Sequence, residues 1–390
     1  MHNCFFINSN ISFENKLHDY KTYLESISGN TGNSYITYAL IKKIYGKLVK
    51  VPHIQCIYTY DFNKNADKDI DYINNNCSHV FLILQDQIRI TESYSLKLPY
   101  DKIISFLKKI RKPIIIAGLG ANSFNGFYSD FFKDLPKELV TFLKELSCLV
   151  ENLGVRGYFT QETLNNLGIT NVDVIGCPSF YEMGRDRIIK KKELVSLNKV
   201  FLTSDIIIKK LRFNYRCMQD WQEEKYISYI LENKILQNFN FSECINLYNK
   251  KLKIFSSIYE WKKFISNFDF AIGGRLHGSI ISINAGVPAL CCNGDSRARE
   301  MCQYLKIPYE TEIRKKTNIF DLYENIDIDS MNKSYPLLYD KYDEFLKRAM
   351  NINKFEHSDL PEFIQPQFEL YKNFDNIKLI VSYLRKKFKI

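Results

Sequence analysis

The 390-residue chain is 45% hydrophobic and 25% charged, which is enough apolar material for two cores of ordinary size and too much for a disordered chain. Its formal net charge of +10 comes from lysines spread along the chain rather than a basic arm, and no zinc-finger spacing occurs, so nucleic acid is set aside as a partner. Ten cysteines without a C-x-x-C pair suit a reducing cytoplasm and offer neither a zinc site nor a disulfide framework.

The opening MHNCFFINSNISFENK lacks a basic stretch followed by an apolar one and does not read as a signal peptide. No apolar run approaches the ~18 residues needed to cross a bilayer. Strand-like and helix-like segments then alternate. TYLESIS (22–28) is expected to be a strand running into GNTGN, followed by a helix from about Ser34 to Lys47. HIQCIYTY (53–60), HVFLIL (79–84) and KPIIIAGLG (112–120) are further expected strands, and YDKIISFLKKI is the clearest helix between them. A helix near 136–150 leads to NLGVRG, the helix FTQETLNNLG and the strand NVDVIGCPS. Such alternation predicts a mostly parallel sheet covered on both faces.

The rhythm breaks at YEMGRDRIIKKKELVSLN (181–198), which is charged, poor in apolar periodicity and read as a linker. It resumes with KVFLTSD (199–205), a long helix around 219–239 and ECINLYN (243–249) in the next strand position. The helix SIYEWKKFISNF, strand DFAIG, helix HGSIISINAG, strand VPALCC and a helix over about 296–305 complete a second α/β unit. The expected architecture is two α/β domains, 1–182 and 183–320, whose sheets point their C-terminal ends at one cleft. Residues 321–390 read as a helical extension. Within it, 367–386 is expected to form a helix packed partly on the first domain, with Ile377, Ile380, Val381 and Leu384 at helical spacing. The competing reading is peripheral contact between the basic end, LRKKFKI, and an anionic inner-membrane surface.

Four stretches carry candidate chemistry. SGNTGNS (28–34) sets Gly29, Asn30, Gly32 and Asn33 ahead of a helix, where N–H groups can face a ligand, although such glycines serve turn geometry equally well. It is neither the dinucleotide fingerprint nor a phosphate loop. GVRGYFT (154–160) places Arg156 at a strand end ahead of a helix; taken alone, pairing with a surface carboxylate is the favoured reading of that arginine. GCPSF (176–180) offers Cys177, for which a buried apolar thiol is favoured over a nucleophile because no histidine is near in sequence.

GGRLHGS (273–279) is the strongest signal. Two glycines turn the backbone, Arg275 supplies a forked cation, and His277 opens a helix whose first N–H groups favour negative charge. Arg297 and Arg299 follow at the next strand–helix turn, in NGDSRARE. Arginines at strand ends with one histidine describe a site for a small polyanion handled by acid–base chemistry. No second histidine or carboxylate cluster has metal-ligand spacing, so neither a metal nor another cofactor is expected.

GGRLHGSIISINAGVPALCCNGDSRARE resembles the signature of the polysaccharide pyruvyl transferase family, a G-x-R-x-H-G corner ahead of a small-residue helix and an A-G-V-P strand. GNTGNSYITYAL, GVRGYFTQETLNNLGI and VIGCPS extend the resemblance in the family's order. It implies two Rossmann-like domains facing a cleft in a GT-B-like arrangement. It also implies phosphoenolpyruvate as donor, a sugar or lipid-linked glycan as acceptor, and a pyruvate ketal on a bacterial surface polysaccharide or its precursor. By matching motifs, Arg156, Arg275 and Arg297 would hold the donor with Gly278 and Ser279 beside them. His277, with Arg275, would be catalytic, and Gly29, Asn30, Gly32 and Asn33 would lie on the acceptor side. Two positions depart from the common pattern: Asn33 stands where many members have aspartate, and Gly157 follows Arg156 where many have aspartate. Either Arg297 or Arg299 represents the last basic residue. A GT-B glycosyltransferase using a nucleotide-sugar donor is the alternative with the same architecture.

Overall fold

The structure is a computed structural model and describes residues 2–16, 20–27, 29–90, 98–123, 126–204, 208–219, 241–369 and 371. Two parallel sheets organise it. The first draws on β1 (Cys4–Ile7), β2 (His53–Ile54), β3 (His79–Leu82), β4 (Ile88–Arg89), β5 (Ile114–Leu119), β6 (Ala121–Asn122), β7 (Leu153–Val155) and β8 (Val172–Val174). Six of these form a sheet in the order β2-β1-β3-β5-β7-β8, while β4 and β6 pair separately. In the second, β9 (Val200–Leu202), β10 (Arg216–Cys217), β11 (Leu252–Lys253), β12 (Phe270–Gly273) and β13 (Ala289–Cys291) are ordered β11-β10-β9-β12-β13. This is the two-fold α/β architecture the alternation predicts.

The central strands are continuous apolar runs because helices cover both sheet faces. All six residues of Ile114–Leu119 are buried, as are all four of Cys4–Ile7 and of Phe270–Gly273. The order of the first sheet reverses between β1 and β3, and that of the second between β9 and β12. Crevices at such reversals, beyond the strands' C-terminal ends, are where open parallel sheets bind ligands.

Three local expectations are corrected. Residues 22–26 of TYLESIS lie not in a strand but in the helix Tyr20–Ser26. Tyr23 and Leu24 within it and Ile27 just past its end are buried, a helical spacing that outweighs the strand-like composition. Of GNTGN, Gly29 and Asn30 therefore precede a second helix, Thr31–Tyr45, and TGN is its first turn. ECINLYN likewise lies largely in the helix Phe241–Tyr248, which buries Cys244 and Leu247 three residues apart. The first strand is instead CFFI, a run too short to stand out from the N-terminal stretch.

The stretch read as a linker is tied down. Glu182 is enclosed by Lys42 from the first half, Lys262 at 2.6 Å from the second and the Tyr35 hydroxyl at 3.2 Å. The Arg187 guanidinium lies over the Phe180 and Tyr335 rings at 4.1 and 3.7 Å. Beyond it, the helix Ile328–Ala349 packs on the first half, pairing Asp343 with Lys43 and Arg348 with Asp173. The chain then returns, bonding Tyr45 and Leu48 through Ser358 and Phe363, and Ser256 and Ile258 through Gln367 and Gln365. The helices expected over 219–239 and 367–386 fall almost wholly outside the described residues. No helix among the described residues is long and apolar enough to cross a membrane.

Candidate active site

The corner after β12 is built by close approach. Gly273 has φ of 154°, and a Cβ there would sit 2.5 Å from Thr203 Oγ1. Gly274 N–H donates to Ser204 Oγ at 2.7 Å, so the corner is tied to the loop after β9, across the sheet's reversal point. The helix Leu276–Asn284 starts here with Arg275 as its N-cap, and Gly278 lets its first turn close on Thr203. His277 thus projects from the positive end of a helix into the reversal crevice.

The first half closes over the imidazole. Asn30 Oδ1 accepts the Gly32 N–H at 2.8 Å and starts the Thr31–Tyr45 helix, while Thr31 N–H donates to the Gln219 carbonyl at 2.8 Å. A Cβ on Gly32 would lie 2.8 Å from His277 Cβ and 2.9 Å from Nδ1, so only glycine fits against the ring without displacement. On the other ring edge, Nε2 is 3.8 Å from Cys177 Sγ, which in turn lies 3.0 Å from Ser179 Oγ.

Two arginines converge on this histidine, one from each half. Arg156 leaves the end of β7, is 2% exposed, and has no hydrogen-bond partner at Nε or Nη2 among the described residues. Arg297, in the first turn of the helix Ser296–Leu305, bonds Asp86 Oδ2 at 2.9 Å and Asp295 Oδ2 at 3.2 Å, and its buried Nε is likewise without a partner. Burial alone would raise the Asp86 carboxyl, but Arg297, Arg156 and Arg89 together hold it well below the usual carboxylate range. For His277, burial first and then Arg156 and Arg297 push the imidazole down to about 3, with only Asp86 opposing. The free site therefore holds a neutral imidazole between fixed cations. Buried guanidinium N–H groups without acceptors are costly, and a carboxylate or phosphate is the ligand that satisfies them.

The polysaccharide pyruvyl transferase family model matches residues 30–296, from the helix start beside His277 to the residue before Arg297. The chain belongs to this family. It is therefore an enzyme, a transferase of polysaccharide synthesis. No curated protein matches the chain. Among solved structures it is similar to Anabaena HepE in complex with UDP and glucose, at 8% identity over 100% of both chains with a TM-score of 0.43. It is also similar to the Methanocaldococcus jannaschii UDP-GlcNAc 2-epimerase in complex with UDP-GlcNAc and UDP, at 10% identity over 98% of both chains with a TM-score of 0.39. Likenesses this distant carry nothing about chemistry.

In this pyruvyl transferase the residues singled out in the sequence take distinct places. His277, Arg156, Arg297 and Gly32 meet at one point. Arg299 diverges from Arg297, its guanidinium lying 4.8 Å over the Phe127 ring. Arg275 is half-buried at the helix N-cap. Gly278 and Ser279 are buried in the helix, where Ser279 N–H donates to the Arg275 carbonyl at 3.1 Å. Gly29, with φ of 75°, precedes the helix start, and Asn33, whose N–H donates to the Asn30 carbonyl at 3.0 Å, follows Gly32 in its first turn.

Sequence reasoning missed two carboxyls and one contact. Asp86 lies in the turn between β3 and β4, on the loop that leaves a central strand, and that placement was the available signal. Glu300 is 3% exposed and accepts Thr160 N–H at 2.6 Å and the Thr160 hydroxyl at 2.9 Å. The Cys177 thiol does have a histidine neighbour, one hundred residues away in sequence, so its surroundings are not purely apolar.

Proposed function

We propose that this pyruvyl transferase takes phosphoenolpyruvate as donor and joins its pyruvyl carbon to two hydroxyls of a sugar in a surface polysaccharide or its precursor. The observation that carries this reading is the buried Arg156 and the half-buried Arg297 set around a neutral His277, with Arg156 Nε and Nη2 and Arg297 Nε left for an anion. Phosphoenolpyruvate carries a carboxylate and a phosphate on one small frame and suits two such forks. Arg275 and the start of the His277 helix add positive potential on the donor side. Gly29, Asn30, Gly32 and Asn33 line the acceptor side.

The electrostatics support a proton-transfer role for His277. Donor anions offset the two cations that depress the imidazole, so His277 gains a proton when the donor binds. It passes that proton to the donor methylene, making C2 electrophilic, and a sugar hydroxyl adds at C2 and returns its proton to His277. The bond from C2 to the phosphate oxygen then breaks, with the electron pair leaving on phosphate. The second hydroxyl closes the ketal, and its proton leaves on the phosphate as hydrogen phosphate. The arginines hold the anionic charge throughout, and closure of the two halves excludes water from the activated carbon.

The test is incubation with phosphoenolpyruvate and a panel of glycan acceptors, following phosphate release and a product mass gain of one pyruvyl unit. Consumption of a nucleotide sugar with no phosphate released from phosphoenolpyruvate would overturn the donor assignment in favour of glycosyl transfer.

A further inference from the structure

The helix Ser296–Leu305 belongs to the second half, yet one face of it is bonded to the first. Ser296, Glu300 and Tyr304 recur every fourth residue and so share that face. Ser296 Oγ accepts Ser123 N–H at 2.8 Å, and the Tyr304 hydroxyl donates to the Val174 carbonyl at 2.7 Å. Between them, the Glu300 carboxylate takes both the amide and the hydroxyl of Thr160, and that hydroxyl in turn accepts Ala121 N–H at 2.8 Å. Thr160 stands in the first turn of the helix Tyr158–Asn166, whose N-cap, Gly157, supplies no side chain. Glu300 thus caps that helix from the opposite half. The approach requires glycine, because a Cβ on Gly157 would fall 2.3 Å from Glu300 Cγ. Arg156 is the residue immediately before Gly157.

We propose that Glu300 is a positioning residue: it pins the second half onto the turn that carries Arg156, and it binds a proton when an anion occupies Arg156. The second clause rests on the anion-binding reading above; the pin does not. A carboxyl this deeply buried resists ionisation, and burial pushes Glu300 up to about 7 against the Thr160 bonds and Arg156. Arg156 is the charged group that faces it from the first half. On its own helix, Arg297 is committed to Asp86 and Asp295, and Arg299 lies over Phe127. An anion on Arg156 removes the cation that supports the carboxylate. The protonated carboxyl still offers its carbonyl oxygen to Thr160 N–H, so the pin holds while its charge is lost.

Two measurements on the full chain test this. The first is hydrogen exchange without ligand. Glu300→Ala should raise deuterium uptake in both 158–166 and 296–305, whereas Glu300→Gln, which keeps an amide oxygen for Thr160, should leave both protected. Unchanged uptake in the alanine variant overturns the pin. The second is calorimetric binding of phosphoenolpyruvate, and of inorganic phosphate as a simpler probe, between pH 6.5 and 8.5. Above pH 7 wild-type affinity should fall more steeply than that of Glu300→Gln, by up to about a further tenfold per pH unit, while Glu300→Gln should keep only the slope set by His277 and by the probe's own phosphate. An equal slope in both proteins overturns the proton linkage. If neither probe binds the wild type, the linkage and the donor reading fail together, and the exchange result alone decides the pin.

Discussion

The sharpest consequence of the site is that His277 should change its protonation with the donor. In the free protein, burial and the cations of Arg156 and Arg297 hold the imidazole at about 3. At pH 7 that leaves roughly one molecule in ten thousand protonated. An opposite charge within a few ångströms raises such a group by about 1–3 pH units. Phosphoenolpyruvate brings both a carboxylate and a phosphate, so the imidazole should rise to roughly 6 or above. Three pH units correspond to about 4 kcal/mol of coupling between proton and donor. Nuclear magnetic resonance of labelled imidazoles checks this directly, since the chain has only six histidines and a His277→Asn variant assigns the signal. Titrations with and without saturating phosphoenolpyruvate should move one resonance far more than the other five. Two results would refute the reasoning: a His277 that titrates near 6.5 in the free protein, or one that the donor leaves unmoved.

Four further outcomes are expected. His277→Asn should lower turnover by about 10²–10⁴-fold with little change in donor affinity, read from phosphate release and calorimetry; near-normal turnover in a folded variant removes His277 from the chemistry. Arg156→Ala should cost about 1.5–3 kcal/mol of donor binding, and Arg156→Lys should recover only part of it because an ammonium cannot reproduce the fork. Gly32→Ala places a methyl 2.8 Å from His277 Cβ and should cost roughly 1–3 kcal/mol of stability by denaturant titration, together with a loss of activity. Glu300 titrates at about 7 folded against 4.5 for an ordinary glutamate, so the folded state holds its proton more tightly. Its contribution to stability is therefore complete below pH 4.5 and is lost as pH rises through 7, by up to roughly 3 kcal/mol, a decline that Glu300→Gln should flatten.

What the sequence determined by itself was local. Continuous apolar runs such as IIIAGL mark buried parallel strands because helices cover both sheet faces. The glycine-flanked Arg–Leu–His corner was legible because a strand that turns into a helix at close quarters needs glycine, and because His and Arg in that setting have few bland uses. TYLESIS misled because Tyr23, Leu24 and Ile27 satisfy strand composition while their buried positions follow a helical period. The tertiary structure decided what meets across the cleft. Asp86 pairs with Arg297 over 211 residues, Glu300 with Thr160 over 140, and His277 with Cys177 over 100. No periodicity encodes such pairs, because they depend on how two separately wound sheets are set against each other. The same placement moves a histidine that would otherwise titrate near neutrality far below it, since its charge is governed by arginines that reach it only after both halves have folded and docked.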